Sequence, residues 1–130
     1  MSQNIDWTTY LGGNSPVAST ALHIPYFPDG RYAQIRRIGN IVVATVNEVC
    51  SSLAPLDSVT AIETMPSGFR PVAGSIGVIS LGVVVGDSDE AAMAIYPDGT
   101  VKWSNRATIS GSTRFNGSGA WITKDAFPSS

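Results

Sequence analysis

Charge is scarce in this sequence. Asp, Glu, Lys and Arg make up 14% of 130 residues, against about a quarter in ordinary soluble domains. One cysteine, Cys50, excludes an intrachain disulfide and a cysteine-rich structural zinc site. One histidine, His23, leaves any His-based metal site or catalytic triad resting on a single residue. The 8 Lys and Arg do not outnumber the 10 Asp and Glu, so the net charge is −2 and the basic footprint of a nucleic-acid binder is missing. A membrane helix needs about 20 apolar residues in a row. The uncharged stretch 71–86 is shorter, broken by glycines and rich in β-branched side chains, which suits a buried strand. Residues 1–6 lack the basic and apolar regions of a secretory leader. No amphipathic helical period stands out anywhere.

What the chain does have is apolar residues (43%), 13 glycines and 8 prolines. Short runs of Val, Ile, Thr and aromatics lie between them. That pattern predicts one all-β domain, an antiparallel barrel or sandwich of eight or nine short strands. Residues 1–20 read as an N-terminal arm or linker and 21–130 as the β domain. Strands are expected over 21–27, 32–38, 41–49, 59–65, 74–86, 91–96 and 100–104, with further alternation over 107–115 and a last strand over 120–123. Residues 51–57 read as a loop. Pro28-Asp29-Gly30 and Pro97-Asp98-Gly99 supply hairpin chemistry, because proline presets φ and glycine accepts a positive one. Asn116-Gly117-Ser118-Gly119 reads as another turn. Over 41–49 both parities are apolar, so both faces of that strand are expected to be buried. With so little charge to cover a surface, this points to self-association.

Enzyme chemistry finds little support. Asp87-Ser88-Asp89-Glu90 offers carboxylates, but the spacing fails the EF-hand pattern: Ala92 stands where glycine is required and Asp98 where the final Glu belongs. Cys50 reads as a small buried hydrophobe. No residue stands out as a base for a nucleophile, and nothing pairs two carboxylates across a scissile bond. No cofactor and no metal are expected. Asn116-Gly117-Ser118 also fits a glycosylation acceptor.

Three motifs occur in order: Arg37-Ile38-Gly39-Asn40-Ile41-Val42-Val43, then Met65-Pro66-Ser67-Gly68-Phe69-Arg70-Pro71, then Ala94-Ile95-Tyr96-Pro97-Asp98-Gly99-Thr100-Val101. In this order they resemble the C-terminal head domains of tail receptor-binding proteins from siphophages of Gram-positive hosts, the lactococcal phages above all. The resemblance covers about Tyr32 to Trp121. It implies an all-β head that forms a homotrimer in the virion, at the tail tip or baseplate, beside other phage baseplate proteins. It implies binding to host cell-wall saccharide without catalysis, and neither nucleic acid nor membrane as partner. A structural baseplate or fibre component is the alternative, and a small glycan hydrolase the third reading.

Sugar rings stack on aromatic rings while polar neighbours take the hydroxyls. The expected saccharide site is Trp103 with Arg106, His23, Tyr26 and Asp89 around it. Trp103 follows the second Pro-Asp-Gly turn, although it shares a parity with Val101, which argues for the core. Trp7, Tyr10 and Trp121 are next in line. Pro66–Pro71 is expected to be a rigid structural connection that sets Arg70 beside a carboxylate or carbonyl.

Overall fold

The structure is a computed structural model and describes residues 16–83 and 90–128. Eight antiparallel strands form one sheet curled into a half-barrel. They are β1 (Val17–His23), β2 (Tyr32–Ile38), β3 (Ile41–Cys50), β4 (Leu56–Thr64), β5 (Gly77–Val83), β6 (Glu90–Ile95), β7 (Thr100–Asn105) and β8 (Thr113–Ile122). The spatial order is β1-β2-β3-β8-β5-β6-β7-β4. The all-β reading therefore holds, with eight strands among the described residues. The edge strands β1 and β4 approach each other where the sheet curls round.

Local chemistry accounts for most of the elements. β2 and β3 alternate strictly, Ala33, Ile35, Arg37, Val42, Ala44 and Val46 pointing inward. Between β6 and β7, Gly99 has φ 92°, and Gly99 N–H donates to the Tyr96 carbonyl at 2.9 Å. This is the hairpin that Pro97-Asp98-Gly99 foretold. Thr100 N–H donates to Asp98 Oδ1 at 2.9 Å, which is the main reason that this carboxyl titrates below its usual range; the nearby Arg70 guanidinium contributes less.

Several boundaries differ from expectation. β1 begins at Val17, inside the stretch assigned to the arm, and ends at His23. Pro25 and Pro28 cannot donate to a ladder, so residues 24–31 form a knot of short turns, with Phe27 N–H donating to the Ile24 carbonyl at 3.1 Å. β4 starts at Leu56, within the expected loop. Over 107–112 only Ile109 pairs, in an isolated bridge to Leu53. The expected strand 74–86 is a strand at Gly77–Val83, and 84–89 lies outside the described residues.

Two corrections matter more. Asn116–Gly119 is not a turn but the middle of β8, the strand that joins β3 to β5. A Cβ on Gly117 would collide with the Ser80 carbonyl, and one on Gly119 with the Val78 carbonyl, both on β5. The β5 backbone lies so close there that only hydrogen fits, which is how a strand residue comes to look like a turn residue. β3 is buried on one face only. Its outward residues Ile41, Val43, Thr45 and Asn47 are exposed among the described residues of the single chain.

The three motifs converge at one end of the half-barrel. The buried Arg37 guanidinium donates to main-chain carbonyls of Gly39 (2.7 Å), Gly68 (2.6 Å) and Asp125 (2.9 Å) and stacks over the Phe127 ring. Asp125 Oδ2 accepts from the backbone N–H groups of Gly68 (2.9 Å) and Arg70 (3.0 Å). Arg70 Nε donates to the Met65 carbonyl at 2.8 Å, as expected of a structural connection, and its guanidinium lies against Gly99. Arg37 thus meets several orphan carbonyls at once, the use to which a planar fork of five donors is suited.

Candidate functional site

Trp103 lies on β7 and faces the interior with no exposed surface. Its indole Nε1 donates to Asn105 Oδ1 at 2.8 Å, and Asn105 Nδ2 donates to the Ala54 (3.1 Å) and Ala107 (3.0 Å) carbonyls. Phe27 and Tyr26 meet the indole edge to face, at 5.8 and 6.2 Å between ring centres. The parity shared with Val101 thus decided the matter: this ring has no face free for a sugar in this conformation. Tyr26 covers it from outside, 41% exposed, at a positive φ of 66°.

Arg106 is exposed and lines a different cleft, of about 530 Å³, beside Asp57, Glu90 and Ser104. Neither His23, Tyr26 nor Trp103 lines it. Asp89, like Trp7 and Tyr10, lies outside the described residues. Trp121 is buried, its Nε1 donating to the Phe69 carbonyl at 2.8 Å. Among the described ones, Tyr26 and Trp103 meet, and Arg106 lines a cleft that neither they nor His23 line. Cys50 is buried, and burial pushes its thiol up to about 11, which suits a packing residue and not a nucleophile.

His23 does something else. Its Nδ1 is 2.6 Å from Glu63 Oε2, and its Nε2 is 3.1 Å from the Pro28 carbonyl. His23 is on β1 and Glu63 on β4, so this bond ties the two edges of the curled sheet. Both ring nitrogens face acceptors, and only the imidazolium can donate to both. Burial alone would lower its pKa. The Glu63 carboxylate and the carbonyls of Pro28 and Phe27 outweigh that, and the net direction is up. A histidine raised in the folded state stabilises fully below its unfolded value of about 6.5, and that contribution fades as pH rises through the folded value. The expected result is a thermal midpoint that falls by a few degrees from pH 6 to pH 8.5, equivalent to about 1 kcal/mol after solvent screening of a half-buried pair. In His23→Gln that difference should disappear. Differential scanning calorimetry of both proteins across the range checks it, and parallel curves would refute it.

The outer face of β1, β2, β3, β8 and β5 has a structure that no single motif announces. Its cross-strand rows change character from one end to the other. The first runs Val17, Ile38, Ile41, Ile122 and the second Arg36, Val43, Ala120. Val17, Ile41, Val43 and Ile122 are all at least 38% exposed, as are Ile76 and Val78 beside them. The third row is polar beyond its β1 end: Ala21, then Gln34, Thr45, Ser118, Ser80. Beyond it Asn47 pairs with Asn116, and Tyr32, 42% exposed, flanks them. This polar end is hollowed into an open cleft of about 590 Å³. Sequence reasoning passed over it because its residues are spread over three strands. The local signal is polar side chains at alternate positions, Gln34 in β2, Thr45 and Asn47 in β3, and Asn116 and Ser118 in β8.

Compared with protein-family models and with curated proteins, the chain matches none.

Proposed function

We propose that this chain is a host-recognition module of a phage tail or baseplate that adheres to cell-wall saccharide and performs no chemistry on it. The observation that carries the reading is the ordered set of three motifs, whose residues pack into one anchoring cluster around Arg37, Arg70 and Asp125. An all-β half-barrel is compatible with such a head. The exposed apolar rows through Ile41 and Ile122 support self-association, here as a homotrimer. A largely apolar patch of this kind, with Arg36 as its one charge among the described rows, is normally covered by a partner. The polar end of the same face stays open for a ligand. In this reading the module acts on the virion, at the tail tip or baseplate, among other baseplate proteins.

Two measurements test it together. Light scattering at micromolar concentration should give about three chain masses, and glycan arrays with cell-wall polysaccharide from Gram-positive bacteria should show binding without released product. A trimer that binds no glycan would favour a structural baseplate component. Release of oligosaccharide would favour a hydrolase, for which Asp57 and Glu90 in the Arg106 cleft supply two carboxylates. A stable monomer would reject the assembly.

A further inference from the structure

We propose that the polar cleft on the outer face, formed by Tyr32, Gln34, Thr45, Asn47, Asn116 and Ser118, binds a neutral saccharide; this rests on the adhesion reading above and gives it a site. The size is right, since small-ligand sites run from about 300 to 1,000 Å³ and the cleft measures about 590 Å³. The chemistry is right as well. Tyr32 presents an exposed ring at the margin, the surface against which the C–H face of a pyranose packs. Its orientation is braced by the His23 ring, edge to face at 5.7 Å. Three amides and two hydroxyls fill the floor, groups that both donate and accept, as sugar hydroxyls do.

The charges around the cleft decide the ligand class. Glu48 lines it, but its carboxylate is engaged with Arg31 (3.7 Å) and with the Tyr32 backbone N–H (3.3 Å). Arg114 Nη1 donates to Asn47 Oδ1 at 2.8 Å, at the cleft's edge. That bond fixes the Asn47 amide, because a guanidinium only donates, and leaves Asn47 Nδ2 as a donor for a ligand oxygen. No Lys or Arg lines the cleft. A phosphate-bearing polymer would find no cation within it, whereas a neutral sugar needs none. The Arg106 cleft sets two carboxylates against one guanidinium and is a poorer host for either class. Finally, the groups stand on three hydrogen-bonded strands and not on loops, so little ordering entropy is lost on binding.

The test uses the full chain and its Tyr32→Ala, Asn47→Ala and Arg106→Ala variants, each first matched to the parent by thermal midpoint. The probes are neutral oligosaccharides of glucose, galactose, rhamnose and N-acetylglucosamine, with poly(glycerol phosphate) as the anionic comparison, titrated by calorimetry. The parent should bind a neutral probe. Tyr32→Ala should weaken it about tenfold or more, the size of one lost stacking contact, and Asn47→Ala several-fold, with Arg106→Ala unchanged. In parallel, amide resonances of Gln34, Thr45 and Asn47 in the unaltered chain should shift on adding the sugar, which keeps the test sound if a variant fails to fold. Undiminished binding by Tyr32→Ala and Asn47→Ala with still resonances overturns the site while leaving adhesion intact. Preference for poly(glycerol phosphate) overturns the neutral class. No binding of any probe by the parent overturns adhesion and the site together.

Discussion

Gly119→Ala is expected to cost on the order of 4 kcal/mol or more, enough to remove most of the stability of a domain this size. The reason is not backbone conformation, since no positive φ occurs at this position. A methyl group on Gly119 points at the Val78 carbonyl, a main-chain atom held in the β5–β8 part of the sheet. A side chain in the way would rotate aside; a ladder carbonyl moves only if the ladder breaks. Gly117, which faces the Ser80 carbonyl in the same manner, should respond alike. Gly82 is the internal control. It lies in β5, and a Cβ there meets nothing within 4 Å, so Gly82→Ala should be neutral or stabilising by about 0.5 kcal/mol through the unfolded state. Urea unfolding followed by far-ultraviolet circular dichroism compares the three. Equal midpoints for Gly119→Ala and Gly82→Ala would mean that the β5 carbonyls do not press on β8 at Gly119.

The second large effect is at Trp103. Its truncation to alanine should lower stability by about 3–5 kcal/mol, the range for emptying a buried aromatic site. It also strands Asn105 Oδ1, whose partner is the indole N–H. Trp103→Phe separates the two contributions. It fills most of the space but supplies no donor, so it should cost about 1–3 kcal/mol, the penalty of one buried unsatisfied acceptor. Guanidinium melts of both variants provide the numbers. A Trp103→Ala protein as stable as the parent, but deficient in saccharide binding, would move the ring out of the core and restore it as a ligand residue.

Trp103 also illustrates what could be read from the sequence alone. Alternation with Val101 signalled an inward ring, and that signal was local and correct. Its position after a Pro-Asp-Gly turn suggested a loop-end binding residue and was misleading, because Tyr26 and Phe27 come from a distant turn to close over it. β2, β3 and the 96–100 hairpin were legible for the same reason, since alternation and turn chemistry are encoded within a few neighbouring residues. Gly117 and Gly119 were not. Glycine beside asparagine looks the same whether it serves a tight turn or the close passage of another strand, and only the partner, β5, tells them apart. The apolar outward positions Ile41 and Val43 called for a cover that the described residues do not provide. The polar cleft was illegible as a unit: Tyr32 and Gln34, Thr45 and Asn47, Asn116 and Ser118 lie in three segments up to 86 residues apart along the chain, and pairing alone brings them together.

The position of β8 has a consequence for how the chain reaches this state. β1, β2 and β3 form one antiparallel run, and β5, β6, β7 and β4 another; among the described strands β8 alone pairs with both through backbone ladders. Of the eight described strands it is the last to emerge during synthesis from the N-terminus. Until residues 113–122 are available, the facing edges of β3 and β5 have no native neighbour, and open edges invite pairing with other chains. Closure of the two runs therefore waits for this strand. It joins distant segments, a slow class of search, with one late strand acting as the zip between two waiting halves.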